Sequence, residues 1–465
     1  MKDTLSKKDQ EKRKFMLEGD MWKVVMYISM PLAIYNGFNH LFSLLDTMMA
    51  AHIGSEVVSA VAYISQIKTM ISALGGGLAV GGGIIIARYY GAGDIKNTKK
   101  YMNTLLFMSI LISLVMLGVI IPFARPILRF VRTPEELIEV GLGYFIIEMG
   151  TLLTIFINNV YMAIERAKGN SKKILNLNLM VLAIKLGLTY IFIYILGYGV
   201  TMMAFATMIA QIALTITGLL DMFQKDNTFR PSIKEIDFSI KTLRPIFILA
   251  APIFFEKFAF SFGKVIINSM SVLYGSMVVG ALGVSNNIAG LVTSLGNGYQ
   301  DGEASIISQN LGNENFERAI DAFKKTLIIS IVIGCVGFVL TTLFMEPIIS
   351  VFARGNMEFA NEIRKIFGYE RYAIIAFTTA SAVMGLLYGF GYTRLSLVIN
   401  FMRLFLFRIP VLYVLQNFTS FGSESVGIAM MISNGLIGLT SVLLCFYVIQ
   451  KMKRKGVSYK IAYAD

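Results

Sequence analysis

The sequence predicts an all-α membrane protein: twelve transmembrane helices in two six-helix lobes related by a pseudo-two-fold axis along the membrane normal. Three observations predict it. Of 465 residues, 55% are hydrophobic and 15% charged, whereas a soluble domain carries about a quarter charged residues. The apolar residues fall in long blocks, each able to cross ~30 Å of hydrocarbon. The blocks also repeat once without a gap. Pro31 has its partner at Pro252, and 252 − 31 = 221. The same shift carries Gly54, Ser55, Val57, Val58 and Ala60 onto Gly275, Ser276, Val278, Val279 and Ala281. It carries Gly75, Gly77, Gly81 and Gly91 onto Gly296, Gly298, Gly302 and Gly312.

The elements follow in order. Residues 1–23 are charged and lack a cleavable apolar core, so they are expected to form a cytoplasmic tail rather than a signal peptide. The first lobe, 24–222, holds spans at 24–50, 57–88, 102–124, 138–162, 174–196 and 200–222. Residues 223–243 form the one long polar linker, expected on the cytoplasmic side. The second lobe, 244–450, holds spans at 246–273, 278–309, 326–352, 368–390, 395–416 and 425–449, and 451–465 is a second cytoplasmic tail. Pro31 and Pro252 sit early in spans 1 and 7, where a missing hydrogen bond kinks a helix. Spans 2 and 8 are glycine-rich, at GGGLAVGGG (75–83) and GNGYQDG (296–302). Such residues permit close helix packing, or sliding and bending between conformations.

The basic residues orient the chain. Of 42 Lys and Arg, 29 fall on the side of the termini, 7 on the opposite side and 6 within spans. That asymmetry places both termini in the cytoplasm and accounts for the net charge of +13 without a nucleic-acid partner. Six spans per half give parallel repeats, the organisation of a secondary transporter with a cleft between its lobes. There is no nucleotide-binding Gly-Lys-Ser/Thr loop and no catalytic Ser/His/Asp or Cys/His grouping, so neither ATP-driven transport nor an enzyme is expected. His40 and His52 are too few and too far apart for a metal site, and no cofactor is expected. Cys335 and Cys445 lie in apolar runs and read as packing residues.

Ionisable residues inside spans mark function by default. The acids are Asp46, Glu148, Glu256, Asp301 and Glu303, and the bases are Lys68, Lys185, Lys257, Lys264, Arg403 and Arg408. Asp46 lies fifteen residues beyond Pro31, ~22 Å along a helix. A desolvated carboxylate there is suited to loading a proton. It is equally suited to Na⁺ as a hard cation, or to a structural ion pair with a lysine of its lobe. Glu256 lies one turn past Pro252, with Phe260 a further turn along the same face. An acid beside an aromatic ring attracts an organic cation by charge and cation–π contact. Asp301 and Glu303 flank Gly302 and cannot share a face, so one is expected at the cleft and the other packed or turned to the cytoplasm.

The pattern P31-(14 residues)-DT, HIGSEVVSAVA, a glycine-rich helix and RYYGAGD (88–94), answered by P252-IFFE, YGSMVVGALGVSNNI and SQNLGNEN (308–315), resembles the multidrug and toxic compound extrusion (MATE) family over about 20–450. The resemblance implies export of organic cations or other amphiphiles in exchange for H⁺ or Na⁺ by alternating access. It makes the expected protein a monomer in the lipid bilayer of a bacterial plasma membrane. Asp46 matches the family's span 1 aspartate and Glu256 its span 7 glutamate. Glu256, Phe260, Asp301 and Glu303 are then the candidates for binding substrate or organic cation, and Asp46 with Lys185 for ion coupling. Two departures stand out. The span 5 Asn and Asp-Pro of many bacterial members fall on Lys185, Thr189 and Tyr190, and a span 10 aspartate falls on Thr379. Lys185 would supply an internal ammonium that competes with the coupling ion for Asp46. A lipid-linked saccharide flippase of the same superfamily is the alternative, and it would want a cationic cavity.

Overall fold

Helices form where the apolar blocks lie. A computed structural model describes residues 5–53, 55–130, 133, 135–224, 227–353 and 355–455, and among them there is no strand. In chain order the helices are α1 (Lys7–Glu18), α2 (Met21–Ile53), α3 (Ser55–Ala92), α4 (Ile95–Ile120), α5 (Ala124–Phe130), α6 (Glu135–Ala167), α7 (Ser171–Tyr190) and α8 (Thr201–Met222). The second half gives α9 (Ile240–Ser271), α10 (Ser276–Gly312), α11 (Phe316–Leu343), α12 (Met345–Ala353), α13 (Met357–Glu370), α14 (Ile374–Phe390), α15 (Thr393–Phe401), α16 (Ile409–Phe418) and α17 (Glu424–Lys455). Eleven segments among the described residues are long and apolar enough to cross a membrane. The remaining expected span, 24–50, lies inside the 33-residue α2.

The repeat extends to local structure. Asp94 caps α4 by accepting from the Asn97 N–H at 3.0 Å, and Asn315 caps α11 from the Arg318 N–H at 3.0 Å, with 94 + 221 = 315. These caps satisfy N–H groups that a helix start leaves without partners. The short helices α5 and α12 also start 221 residues apart, at Ala124 and Met345. They were not separable from the preceding apolar blocks by composition. The expected span 326–352 therefore breaks at Phe344, and the expected span 368–390 reaches back to Met357. Asn356 sets that start by accepting from the Phe359 N–H at 3.0 Å. The expected N-terminal tail contains α1, which the Arg13 guanidinium ties to the Tyr90 and Gly91 carbonyls at 3.0 and 2.7 Å. Those carbonyls lie at the C-terminal end of α3, where a cation is favourable.

The chain packs as two compact units. The first takes the segment ending at Gly19 together with Leu41–Phe254, and the second takes Asp20–His40 together with the described chain from Phe255 to Lys455. The division cuts α2 and α9 internally rather than falling in the 223–243 linker. The repeated glycines explain why. In the first unit, a Cβ on Gly77 would stand 2.8 Å from the Ala250 carbonyl oxygen, and one on Gly81 would stand 2.6 Å from the Ala250 nitrogen. In the second, a Cβ on Gly298 would stand 2.3 Å from Ala33 Cα, and one on Gly302 would stand 2.2 Å from Ser29 Oγ. Glycines at equivalent places thus seat the first half of α9 on α3 and the first half of α2 on α10. Each unit has an apolar core of its own, around Phe145, Met149 and Phe156 in the first and Ile363, Phe367 and Leu412 in the second.

α9 starts from a capped turn. Asp237 accepts from the Ser239 N–H at 2.8 Å and from the hydroxyls of Ser239 and Thr242. The Thr242 hydroxyl, followed by the Ser239 N–H and hydroxyl, holds the Asp237 carboxyl down at about 2. A depressed carboxyl contributes stability above its ordinary range and loses it only as pH falls through the folded value. Acidification to about pH 4, the ordinary aspartate range, is therefore expected to leave this turn intact. Limited proteolysis of the 223–243 linker should show the same cleavage there as at neutral pH, and earlier opening would contradict the assignment.

Candidate functional site

In the first unit α2, α3, α6 and α7 bring four charges inward as two pairs. The Lys185 ammonium of α7 bonds Asp46 Oδ2 of α2. The Lys68 ammonium of α3 lies 2.5 Å from Glu148 Oε2 of α6. Asp46 and Lys185 are about a fifth exposed, and Glu148 is 3% exposed. Tyr144, one turn before Glu148 on α6, shares hydrogen bonds with Glu148 and Ser65 and lies within electrostatic reach of Asp46. Asp46 Oδ1 is buried and has no hydrogen-bond partner among the described residues. The result is a carboxylate with one oxygen on an ammonium and the other free to accept. A hard cation arriving at Asp46 meets a positive charge already seated there, whereas a proton can replace it on the carboxylate. Among the described residues no group of three His, Cys, Asp or Glu could hold a metal ion.

The expected internal ammonium on Asp46 is present, because Lys185 lies on the face of α7 turned to α2. The Lys68–Glu148 pair was not readable from the chain. The two residues are 80 positions apart, and nothing local links them. Thr189, at one of the departure positions, is fully buried, and its hydroxyl has no partner among the described residues. The Thr379 hydroxyl donates back along its own helix, to the Ile375 carbonyl at 2.8 Å.

In the second unit Glu256 of α9 accepts three neutral hydrogen bonds. They come from the Tyr388 hydroxyl at 2.9 Å, the Ser396 hydroxyl at 2.7 Å and the Asn400 amide at 3.0 Å. Tyr388 lies on α14, and Ser396 and Asn400 lie one turn apart on α15. Among the described residues no Lys or Arg forms an ion pair with Glu256. Three neutral donors can support a carboxylate without neutralising it, so the group keeps its capacity to attract a cation. The Ser396–Asn400 spacing of four was a legible signal for one polar helix face, although its target was not.

Phe260 joins this site differently from the expectation. Its ring carries the Arg403 guanidinium at 4.4 Å and the Lys264 ammonium at 4.9 Å, so the face offered to an organic cation holds the protein's own cations. Arg403 also lies 5.2 Å from the Phe377 ring. Arg403 and Arg408 sit on a π-helical turn, Met402–Arg408, between α15 and α16. Such wide turns recur at functional sites. Arg408 is a clamp, donating to Ser433 at 2.8 Å and Asn434 at 2.6 Å on α17. Asp301 is partly exposed, while Glu303 is fully buried. Of the two acids flanking Gly302, Glu303 is therefore the packed one.

The family model MatE matches the chain twice, over residues 31–191 and 252–414. The two matches begin at the two repeated prolines. The probable multidrug resistance protein YoeA of Bacillus subtilis is 23% identical over 411 residues, covering 86% of this chain and 88% of that protein. A solved MATE structure in complex with MaL6 superposes with a TM-score of 0.91 at 21% identity, covering 95% of this chain and 99% of that one. A transporter of the MOP superfamily from Pyrococcus furiosus, described by a reverse polarity of its binding pocket that suggests a different function, superposes with a TM-score of 0.91 at 21% identity over 97% of this chain and 99% of that one.

Proposed function

Since the chain belongs to the MATE family of multidrug efflux transporters, we propose that it exports organic cations or other amphiphilic compounds across a bacterial plasma membrane by alternating access, in exchange for H⁺ rather than Na⁺. The observation that carries this is the Lys185–Asp46 pair. Protonation of Asp46 releases the ammonium, and return of the ammonium expels the proton. Na⁺ has no such exchange available, because it would have to share the carboxylate with a tethered positive charge. Glu256, which forms no ion pair among the described residues and takes three neutral donors, is the residue that draws the organic cation. The protein works as a monomer with both termini in the cytoplasm, a placement supported by its Lys and Arg distribution.

The test is efflux of a fluorescent organic cation from vesicles under imposed pH or Na⁺ gradients. Wild type is expected to respond to the pH gradient. Asp46→Asn is expected to abolish the response, and Glu256→Gln to weaken cation export while leaving the protein folded. Equal rates with and without gradients, unaffected by either substitution, would sink the reading. The Arg403 and Lys264 cations on Phe260 favour a second reading, in which the second unit receives an anionic amphiphile such as a lipid-linked saccharide. Export of an anionic amphiphile that is lost in Arg403→Gln and kept in Glu256→Gln would select it.

A further inference from the structure

Among the described residues Glu303 has no hydrogen-bond or ion-pair partner. It is 0% exposed, and neither carboxyl oxygen meets a donor there. Its carboxyl lies directly against a glycine. A Cβ on Gly385 of α14 would stand 2.5 Å from Glu303 Oε2 and 2.9 Å from its Cδ, so a side chain there would displace the carboxyl from this crossing. One turn on, Gly389 admits Ile307 in the same way.

Among the described residues the surroundings provide no counter-charge. Between 374 and 390, α14 carries a single titratable side chain, Tyr388, whose hydroxyl is given to Glu256. The α17 helix brings Cys445 within electrostatic reach. The Asp20–His40 segment packs Ser29, which is not titratable, beside Gly302. On that segment His40 lies at Gly290, thirteen residues and ~20 Å back along α10. On α11, Asp321 and Lys325 are paired with each other. On α13, Glu370 takes the Ser285 hydroxyl, ~27 Å away along α10. On α10 itself, Asp301 points to a different side.

An ionised carboxylate in such a place lacks both hydrogen bonds and a counter-charge, which costs far more than a neutral carboxyl does. We propose that Glu303 is a proton-binding site of the second unit, separate from Glu256. It is loaded as the carboxylic acid while α10 and α14 are packed through Gly385, and it releases its proton to water when that crossing opens. The proton goes on and off one oxygen, and no other bond changes. The site therefore couples protonation to the α10–α14 packing. It adds a second titrating group to the exchange proposed at Asp46 and does not depend on it.

The test uses the full-length protein in liposomes at neutral pH. Infrared difference spectroscopy of wild type against Glu303→Gln is expected to show loss of one protonated-carboxyl band. Glu256→Gln and Asp46→Asn should retain that band. Gly385→Ala, which fills the seat, should shift or abolish it. Should Glu303→Gln fail to fold, wild type grown with ¹³C-labelled glutamate still reports, because the band must move with the label and persist in labelled Glu256→Gln. No protonated-carboxyl band, or a band displaced by Na⁺ at constant pH, would overturn the proposal. In transport, Glu303→Gln should lose at least part of the pH dependence of efflux. A pH profile identical to wild type would also overturn it. Failure of the Asp46 reading shows up separately, as an Asp46→Asn profile unchanged beside an intact Glu303 band.

Discussion

Lys185→Ala is expected to reduce pH-gradient-driven efflux about tenfold and to make the protein responsive to Na⁺. The pair it breaks is about a fifth exposed, so the interaction is screened well below the interior limit and is on the order of 1–2 kcal/mol. A tenfold change corresponds to ~1.4 kcal/mol. Removing the ammonium leaves Asp46 with both oxygens available and no charge competing for them. A hard cation then gains access to the carboxylate. The proton, in turn, loses the partner that expels it during the cycle. The measurement is a vesicle efflux assay under separate pH and Na⁺ gradients, run with Asp46→Asn and the double variant. Because both residues act through one bond, the double variant should be no worse than Asp46→Asn alone. Additive losses would show that Lys185 acts elsewhere, and unchanged coupling in Lys185→Ala would remove it from the mechanism.

Gly298→Ala should be the most damaging single-methyl substitution in α10. The added Cβ would meet backbone, with Ala33 N and Cα both at 2.3 Å, so no flexible side chain can yield. Overpacking of this kind costs about 1–3 kcal/mol, and here it also pushes the Asp20–His40 segment off its seat. Gly77→Ala, its repeat partner, meets the Ala250 oxygen at 2.8 Å and should cost less. Gly283→Ala is the control, since a Cβ there meets nothing within 4 Å. In a helix that exchange stabilises by up to about 1 kcal/mol. Thermal unfolding of the detergent-solubilised variants should rank Gly298→Ala below Gly77→Ala, with Gly283→Ala at or above wild type. A Gly298→Ala protein as stable as wild type would mean that the α2–α10 seat is not a tight one.

Much of this was legible in the chain. The positions of the long helices came from runs of apolar residues, and the repeat came from prolines and glycines that recur at one spacing. The shift of 221 reappears in helix starts, in the Asp94 and Asn315 caps and in the paired glycine seats. The breaks at Phe344 and before α5 were not legible, because a bend between two apolar helices leaves the composition unchanged. The site was legible as a set of residue types. Asp46 and Lys185 were readable as a pair because the family resemblance puts both at ion-coupling positions, although 139 residues separate them. Lys68 with Glu148, and Glu256 with Tyr388, Ser396 and Asn400, were not, since neither periodicity nor the resemblance links those residues.

Hydrophobicity and backbone constraint act along the chain over a few residues, and they settle the class of fold, the positions of the long apolar helices and the duplication before any tertiary contact exists. Charge partnership acts through space, and only the packed helices decide it. The packing made Phe260 a seat for Arg403 rather than an open ring, left Asp301 partly exposed and enclosed Glu303 against Gly385. It also divided the chain within α2 and α9 instead of at the polar linker. A half-helix is assigned by the glycine surface it can approach, and a surface belongs to the folded molecule.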